Sequence, residues 1–384
     1  MSIVLRTSPE DKYETSIELY KGKYSSVCTA KLKNSPGEST VVIKRNTVSN
    51  YSLNEIKTYK QLNNSEQFLK VYDVCGKYTL VFERCMCNLE DLFMPQLVYP
   101  EEQKNLALQF LSGLNAIHQK KLVHRDIKMR NILMTYDGIL KICDFESVCD
   151  NDSFPTSNIG TRGYKPFEIL ISTSTLPVTY SLDLWAAGVI LFKIFTQNRK
   201  FLTPSPPCDE TDIQMMTRMF GCPTGPYYES LPGYPEYYKW ASSYKKNNIR
   251  ENLVDWMSAH TMCEVDLVEK LLQLEPSARC TAFELMNAQS FFVQPLPSVN
   301  LKEAIKRYMQ ATKITRPPPH KAELFDFKTL NPNYSKSSSG TGTSGTSGTG
   351  TSGTSGTGTS GNSSGSGTSK SSSQQESGQK GVKK

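Results

Sequence analysis

The sequence lacks an apolar run long enough to cross a membrane. The longest such run, from Leu184 to Phe192, is much shorter than the ~20 residues that a membrane-spanning helix needs. The apolar start from Met1 to Leu5 is followed by Arg6 and is too short for the hydrophobic part of a secretory signal. We therefore expect a soluble, intracellular protein with no membrane partner.

Closely paired cysteines are also lacking. None of the ten cysteines stands in a C-x-x-C pair, and the two nearest neighbours are Cys85 and Cys87. This spacing does not match the common zinc-binding patterns, and a chain of 384 residues can build a core without a disulfide framework. We expect free thiols and a reducing compartment.

Most of the chain lacks a strong charge of either sign. The formal net charge is +7, but the residues from Ser335 onward contain five lysines and one glutamate. That tail supplies +4, which leaves only +3 for the rest of the chain. So weak a charge does not call for a nucleic-acid partner, and we expect none.

What the sequence does contain is a dense group of chemically useful residues at positions 124–131. Asp126 could accept a proton from an attacking hydroxyl group, Lys128 could neutralise phosphate charge, and Asn131 offers an amide oxygen that Mg²⁺ would accept. Eighteen residues after Asp126, an apolar, strand-like run ends in Asp144, a second candidate ligand for Mg²⁺. The alternative is that this stretch is an ordinary surface turn and that Asp144 only caps a strand.

The pattern H-R-D-x-x-x-x-N followed by D-F resembles the catalytic core of eukaryotic protein kinases, and the residues match it one by one. The resemblance covers residues 13–293. It implies an α+β, bilobal protein-kinase fold with a small β-rich N-lobe (13–84) and a larger helical C-lobe (88–293), after a short N-terminal segment (1–12). It also implies ATP and Mg²⁺ as cofactors, proteins as substrates, and a location in the nucleus, the cytoplasm or both.

Two residues of the N-lobe are similar to the kinase pair that binds phosphate. Val41-Val42-Ile43-Lys44 is a β-branched strand that ends in lysine, as in the motif V-A-I-K, so the resemblance assigns Lys44 to the α- and β-phosphates of ATP. Glu55 lies in a stretch with apolar side chains at helical spacing, which resembles the kinase αC helix and would pair with Lys44. Otherwise Lys44 is an edge lysine of the sheet and Glu55 lies on a solvated face.

The glycine-rich loop of kinases is only partly matched. In the run Tyr20-Lys21-Gly22-Lys23-Tyr24-Ser25-Ser26-Val27, Gly22 and Val27 fit the pattern G-x-G-x-x-G-x-V, whereas the first and third glycines are replaced. We expect a stiffer loop that could bind ATP more weakly, and an ordinary hairpin is the alternative. Tyr24 stands where cyclin-dependent kinases carry an inhibitory tyrosine.

The run from Tyr78 to Cys85 resembles the last N-lobe strand and the hinge. Phe82 then falls at the gatekeeper position behind the adenine pocket. The resemblance implies that backbone groups of Glu83 and Cys85 bind adenine. Phe82 would also serve as core packing, and both readings can hold.

Further resemblance lies in the C-lobe. Lys128 at its position in the loop is typical of serine/threonine kinases. Arg125 resembles the arginine that binds an activation-segment phosphate, and Thr156, twelve residues before Glu168, is the candidate for phosphorylation, with an unmodified loop threonine as the alternative. The third position of the D-F-G motif is Glu146, which restricts the backbone and adds a carboxylate near the expected metal site.

Two C-lobe features are expected to be structural. The resemblance implies a buried ion pair between Glu168 and Arg279. It also implies that Asp183, near the start of an apolar helix, anchors the backbone of the catalytic loop.

Residues 213–224 and 231–240 are similar to cyclin-dependent kinase sequences. They point to the CMGC group and to a regulator of the cell cycle or of transcription, with a cyclin-like regulatory subunit as a partner. Gly160-Thr161-Arg162-Gly163 resembles instead the cell-division-cycle kinase that fires replication origins, which ranks second. A pseudokinase scaffold is the alternative of another class, suggested by the depleted glycine loop and by Glu146.

The C-terminal part divides into an extension (294–334) and a tail (335–384). In the extension, the pattern from Asn300 to Thr312 predicts a short amphipathic helix. We expect it to pack on the C-lobe, with recruitment of a partner as the alternative. The tail consists of Gly/Ser/Thr repeats that cannot bury enough apolar surface to fold, so we expect it to be disordered.

Overall fold

The computed structural model describes residues 9–33, 40–47, 49–62, 65–76, 79–154, 160–198, 200–202, 211–244, 248–288, 301–317 and 324. All of them belong to the compact unit Met1–Ser338. The expectations for Thr156, for Asn300 as a helix cap and for the tail lie outside these residues. Within the described ranges, no helix is long and apolar enough to span a membrane, and no cysteine forms a disulfide.

The N-lobe is built on a five-stranded antiparallel sheet with the strand order β1-β2-β3-β5-β4. The strands are β1 (Tyr13–Lys21), β2 (Ser25–Leu32), β3 (Thr40–Asn46), β4 (Val71–Cys75) and β5 (Thr79–Glu83). A short helix α1 (Pro9–Lys12) precedes the sheet, and helix α2 (Ser49–Leu62) connects β3 to β4.

The position of Lys44 on the central strand β3 determines on which face of the sheet its side chain lies. Val41 and Ile43 are fully buried on one face of the sheet, together with Ala30 and Val81. Because side chains alternate between the two faces of a strand, the next residue, Lys44, points to the other face. That is the face against which α2 packs.

After β5 the chain forms one long helix and a series of short strands and helices. They are β6 (Cys87–Asn88), α3 (Leu89–Leu92), α4 (Pro100–Gln119), β7 (Leu122–Val123), β8 (Ile132–Met134), β9 (Leu140–Ile142) and β10 (Cys149–Asp150). Strands β6, β8 and β9 form a three-stranded sheet, and β7 pairs with β10. Two single turns of 3-10 helix, Met129–Asn131 and Phe145–Ser147, lie among them.

The C-lobe is helical. Its remaining helices are α5 (Phe167–Ile171), α6 (Tyr180–Thr196), α7 (Asp212–Phe220), α8 (Pro226–Glu229), α9 (Tyr234–Ala241), α10 (Ile249–Trp256), α11 (Met262–Leu271), α12 (Ala282–Ala288) and α13 (Lys302–Thr312). A 3-10 turn, Pro276–Ala278, precedes α12. This arrangement confirms the expected α+β, bilobal architecture.

Helix α6 lies at the centre of the C-lobe. Every residue from Leu182 to Phe195 is buried, as expected for a helix that is apolar on all sides. Beside it, Arg279 makes two hydrogen bonds, of 2.6 and 3.0 Å, to the carboxylate of Glu168. Both side chains are buried, and the expected ion pair is therefore present.

Helix α13 packs its apolar face on the C-lobe through Leu301, Ala304, Ile305 and Tyr308. Its Arg307 donates hydrogen bonds to the carbonyl of Leu97 and to the carboxylate of Glu102, and its guanidinium lies 4.2 Å from the Tyr99 ring. The Glu102 carboxylate also accepts the Tyr99 N–H at 2.8 Å. One buried glutamate thus caps the start of α4 and holds the C-terminal helix.

Candidate active site

The Lys44 ammonium group lies at the centre of a cluster of three carboxylates. Its Nζ is 3.1 and 3.0 Å from the two oxygens of Glu55, 2.7 Å from Asp144 Oδ1 and 2.8 Å from Glu146 Oε1. Register places Val27 of β2 directly opposite Lys44 on the sheet. The expected Lys44–Glu55 pair is therefore joined by two further acids.

The proximity of these charged groups shifts their pKa values. Burial would lower the pKa of Lys44, but Asp144, Glu55 and Glu146 outweigh it and hold that pKa well above its usual value. Burial raises the pKa of Glu55 to about 7, and Asp144 and Glu146 add to the rise while Lys44 opposes it. For Asp144, burial is outweighed by the nearby Lys44, so its pKa lies below the usual value. The one ammonium charge cannot fully compensate three carboxylates.

Helix α2 is fastened to the segment that follows Asp144. Asn54 Nδ2 donates to the carbonyl oxygens of Glu146 and Val148, at 2.9 and 2.7 Å. These bonds satisfy two backbone acceptors of the segment with one side chain of the helix. They hold α2 against this segment, and the next residue of the helix, Glu55, contacts Lys44.

Phe145 is fully buried beneath α2. Its ring packs against Tyr59 of α2 at 4.9 Å, against Phe68 at 5.6 Å and against His124 at 5.3 Å between centroids. Edge-on aromatic contacts of this kind are stabilising beyond the area that they bury. The ring therefore links helix α2, the segment that precedes β4 and the catalytic loop.

Glu146 adopts a conformation that does not require glycine. It lies in the 3-10 turn Phe145–Ser147, and it is Asp144, immediately before that turn, that takes the left-handed conformation with φ of 70°. Aspartate tolerates this region better than most residues. The replacement of glycine by Glu146 is thus compatible with the backbone seen here.

The Asp126 carboxylate is held by three side chains. Lys128 Nζ donates to Oδ2 at 2.7 Å, Asn131 Nδ2 to the same oxygen at 3.2 Å, and Thr161 Oγ1 to Oδ1 at 2.5 Å. Lys128 Nζ is also 3.2 Å from Thr161 Oγ1. The three predicted residues are therefore brought together, and Thr161 joins them as a fourth that the motif did not assign to the site.

The backbone of the catalytic loop is fixed by Asp183 of α6. Its carboxylate accepts the N–H groups of His124 and Arg125, at 2.7 and 2.9 Å, and His118 Nε2 lies 3.1 Å from it. Arg125 takes φ of 71°, an uncommon conformation that the surrounding structure must hold in place. The expected anchoring role of Asp183 fits this geometry.

Arg125 directs its guanidinium towards the start of the activation segment. The side chain is buried, and Nη1 donates to the carbonyl of Ser147 at 3.0 Å. The expected role in binding a phosphate on Thr156 stays a prediction, since Thr156 lies outside the described residues.

The hairpin between β1 and β2 carries the remnant of the glycine loop. Gly22 N–H donates to the Ser25 carbonyl at 2.8 Å, and the Tyr20 side chain folds over Gly22. A Cβ atom at position 22 would lie only 2.3 Å from Tyr20 Oη, so a larger residue there would displace the Tyr20 ring from this position. Tyr24 is exposed on the same hairpin.

The hinge begins at the end of β5. Phe82 is buried, and its ring lies 5.4 Å from that of Tyr59, so the predicted gatekeeper residue also contributes to the core. The Glu83 N–H donates to the Lys70 carbonyl, which leaves the carbonyl as the backbone group of Glu83 that could contact adenine. Burial holds the pKa of the Cys85 thiol well above its usual value.

The donors in the cleft suit a hard divalent cation. Asn131 directs its Nδ2 at Asp126, so its amide oxygen is the group left to bind a ligand, and Asp144 provides carboxylate oxygens. Mg²⁺ prefers oxygen ligands and is commonly held by one or two carboxylates together with phosphate groups. These two residues fit the expected ion, although their role stays a prediction.

Residues 13–292 match the family model described as protein kinase domain. Cyclin-dependent kinase 9-B of Xenopus laevis is 26% identical over 330 residues, which cover 78% of this chain and 85% of the relative. Cyclin-dependent kinase F-3 of Oryza sativa subsp. japonica is 30% identical over 293 residues, which cover 72% of this chain and 63% of the relative.

A solved structure supports the fold. It is described as the CAK complex of Chaetomium thermophilum bound to ATP-γ-S, and the matched chain has a TM-score of 0.61 and 23% sequence identity. The match covers 77% of this chain and 94% of that chain. At this level of identity the match bears on architecture alone.

Proposed function

The chain belongs to the protein kinase family, and on that premise we propose that it is a serine/threonine kinase that transfers the γ-phosphoryl group of ATP to proteins. Its resemblance to the cyclin-dependent kinase group is confirmed by the curated relatives. The serine/threonine specificity, the use of ATP and the roles of individual residues belong to the proposal.

The observation that carries the proposal is the hydrogen-bonded group around Asp126. In the reaction, the substrate hydroxyl oxygen attacks the γ-phosphorus, the bond from that phosphorus to the β–γ bridging oxygen breaks, and Asp126 accepts the hydroxyl proton. Lys128 and Thr161 fix the carboxylate in position from opposite oxygens. Such positioning supplies a large part of the catalysis of phosphoryl transfer.

Lys44 is the residue proposed to bind the α- and β-phosphates. It is held on β3 and oriented by Glu55, while Gly22 and Val27 form the cover of the site. Asn131 and Asp144 would hold Mg²⁺, which when bound supplies positive charge next to the phosphates. Phe82 and the backbone groups of Glu83 and Cys85 are the groups proposed to contact adenine.

The test is phosphoryl transfer from labelled ATP to a general protein substrate such as myelin basic protein. The wild-type full-length chain should transfer label to serine and threonine, and Asp126→Asn should reduce the rate by about three orders of magnitude or more. Asp137→Asn is a matched control, since Asp137 is an exposed partner of Arg316. Equal rates for Asp126→Asn and the wild type would refute the assignment.

A pseudokinase scaffold is the second candidate, and two observations favour it. Glu146 contacts the lysine that should bind phosphate, and Tyr20 folds over the one remaining glycine of the loop. Both features would weaken the binding of a nucleotide. If millimolar ATP with Mg²⁺ produces no thermal shift and no transfer is detected, the scaffold is the better function.

A cyclin-like regulatory subunit is the proposed partner. A cavity of about 300 Å³ lies between α2 and the segment after Phe145. It is bounded by Lys57 and Gln61 of the helix and by Phe154, whose side chain is exposed. Lys57→Glu should weaken activation by a cyclin-type subunit without changing the basal rate, whereas Lys239→Glu on the far helix α9 should leave activation unchanged.

A further inference from the structure

Asn54 of helix α2 commits both hydrogens of its side-chain amide to one short segment of the chain. Nδ2 donates to the carbonyl oxygens of Glu146 and Val148, at 2.9 and 2.7 Å. An amide NH₂ group can donate two hydrogen bonds, so these two contacts use its full capacity. The proposed phosphoryl transfer assigns no role to this side chain, although the next residue of the helix is Glu55, which contacts Lys44.

The segment that Asn54 binds is also attached to the catalytic loop. The carbonyl between the two that Asn54 contacts, that of Ser147, accepts Nη1 of Arg125 at 3.0 Å. Directly after Val148, strand β10 pairs with β7, and β7 leads into the catalytic loop. The three successive carbonyls of residues 146–148 therefore bind in alternation to α2 and to the catalytic loop.

Asn54 lies on the side of α2 that carries the buried side chains Glu55, Thr58 and Tyr59. Residues that are one, four and five positions apart share one side of a helix, and Thr58 Oγ1 donates to the Asn54 carbonyl at 2.8 Å. The apolar contacts of Tyr59 are non-directional, whereas a hydrogen bond weakens steeply when its angle changes. The two bonds of Asn54 therefore restrain the rotation of α2 about its own axis.

The contact between Lys44 and Glu55 is a weak restraint on α2 by itself. Lys44 Nζ also lies 2.7 Å from Asp144 Oδ1 and 2.8 Å from Glu146 Oε1. The ammonium group would therefore keep two carboxylate partners if Glu55 moved away from it. Because Asn54 and Glu55 are adjacent residues of one helix, a rotation that breaks the bonds of Asn54 also displaces Glu55, and the bonds of Asn54 oppose it.

We propose that Asn54 is a positioning residue for phosphoryl transfer. Its two hydrogen bonds keep α2 in the orientation in which Glu55 reaches Lys44, so that the chain alone holds its active arrangement. The proposal rests on the kinase function proposed above and concerns the regulation of the same site. A regulatory subunit would then raise a basal rate that Asn54 maintains.

The test measures kcat and the KM for ATP of the full-length chain on myelin basic protein, without a regulatory subunit. Asn54→Leu nearly keeps the size of the side chain and removes both donors. It should lower kcat about tenfold, the effect of losing two ordinary hydrogen bonds from the active conformation. The KM for ATP should change less than about threefold, since the lost bonds hold the helix and not the nucleotide.

Two further variants assign the loss to the donors of Asn54. Asn54→Asp keeps the shape of the side chain, but an ionised carboxylate cannot donate and would face two carbonyl oxygens, so kcat should fall at least as far. Asn252 of α10 offers the matched control, because its Nδ2 likewise donates to a backbone carbonyl of another helix, that of Met219, at 2.9 Å. Both asparagines are half-buried, and Asn252→Leu should keep the wild-type kcat.

Hydrogen exchange on the same proteins follows the helix without reference to activity. Leucine is a better helix former than asparagine, so its propensity alone would slow the exchange of amides in α2. Asn54→Leu should instead speed that exchange about three- to tenfold, because the helix has lost its attachment to the segment. Exchange in α2 that is as slow as in the wild type would overturn the proposal.

Coupling to Glu55 separates positioning from a general loss of stability. In a protein that already carries Glu55→Gln, Asn54→Leu should lower kcat less than about twofold further, because it acts through a contact that is already weakened. Fully additive losses, or wild-type kcat in Asn54→Leu, would overturn the role of Asn54 while the kinase function stands. No transfer by the wild-type chain would also overturn it, and a thermal shift with ATP and Mg²⁺ would then distinguish a kinase that needs a subunit from a protein that binds no nucleotide.

Discussion

Glu146 Oε1 lies 2.8 Å from Lys44 Nζ, on the same ammonium group that contacts Glu55 and Asp144. The carboxylate stands at the position that glycine takes in the D-F-G motif. On the function proposed above, the phosphates of a nucleotide would bind this ammonium group, so Glu146 would compete with the nucleotide for it.

Removal of the Glu146 charge should therefore strengthen the binding of nucleotide. We expect Glu146→Gln to tighten the binding of ATP by about three- to tenfold, because one competing charge–charge contact is lost. Isothermal titration with a non-hydrolysable ATP analogue checks this value. Glu236→Gln, an exposed glutamate on α9, is the control, and weaker binding by Glu146→Gln would mean that Glu146 holds Lys44 in its productive position.

The same substitution should change how stability depends on pH. The pKa of Glu55 is raised to about 7 in the folded protein, so the folded state holds this proton more tightly than the unfolded state does. Its contribution to stability is therefore full below pH ~4.5 and is lost as the pH rises through about 7. Glu146 contributes to the raised pKa of Glu55. In Glu146→Gln the pKa of Glu55 should therefore rise less, and the protein should lose less stability as the pH increases.

Urea unfolding of the nucleotide-free protein at pH 5, 6 and 7 measures this slope. The wild type should lose stability by up to about 1 kcal/mol per pH unit from this group, and Glu146→Gln should lose less. Parallel slopes for the two proteins would show that Glu55 does not titrate in this range.

Thr161 should matter for the rate and little for the binding of nucleotide. Its hydroxyl donates to Asp126 Oδ1 at 2.5 Å, on the oxygen opposite to the one that Lys128 contacts. We expect Thr161→Ala to lower kcat about ten- to a hundredfold, since Asp126, the proposed general base, would lose one of its positioning groups. Thr161→Ser keeps the hydroxyl and should retain most of the activity; equally low activity of both variants would point to packing of the methyl group instead.

Asp183 should have a large effect on stability. Its carboxylate accepts two backbone N–H groups of the catalytic loop. Without the carboxylate, these two buried N–H groups would lose this hydrogen-bond acceptor. We expect Asp183→Ala to lower the free energy of unfolding by about 2 to 4 kcal/mol. Asp137→Ala, which removes an exposed ion pair with Arg316, should cost less than about 1 kcal/mol in the same denaturation experiment.

Local sequence was enough to predict most of the elements that carry the site. The β-branched run before Lys44 predicted its strand, and the helical spacing around Glu55 predicted α2, although the helix begins at Ser49, before the predicted stretch. The reason is that the spacing of apolar residues and the local composition depend only on neighbouring positions in the sequence. The same reasoning predicted the amphipathic face of α13.

Contacts between distant residues could not be predicted in this way. Thr161 and Asp126 are separated by 35 positions, and they meet only because the activation segment returns to the catalytic loop. The side-chain direction of Glu146 depends on the left-handed conformation of Asp144, which the sequence does not specify. The fold of Tyr20 over Gly22 likewise depends on a rotamer.

The ion pair between Arg307 and Glu102 has a consequence for folding during synthesis on the ribosome. The two residues are 205 positions apart, and at the usual pace of translation roughly 10 to 40 s separate their emergence. During that interval Glu102 can accept the Tyr99 N–H at the start of α4, but Arg307 is not yet present to pair with it. Until helix α13 has been synthesised, the Glu102 carboxylate of the nascent C-lobe therefore lacks the positive charge of Arg307, and at this stage the incomplete lobe could bind chaperones.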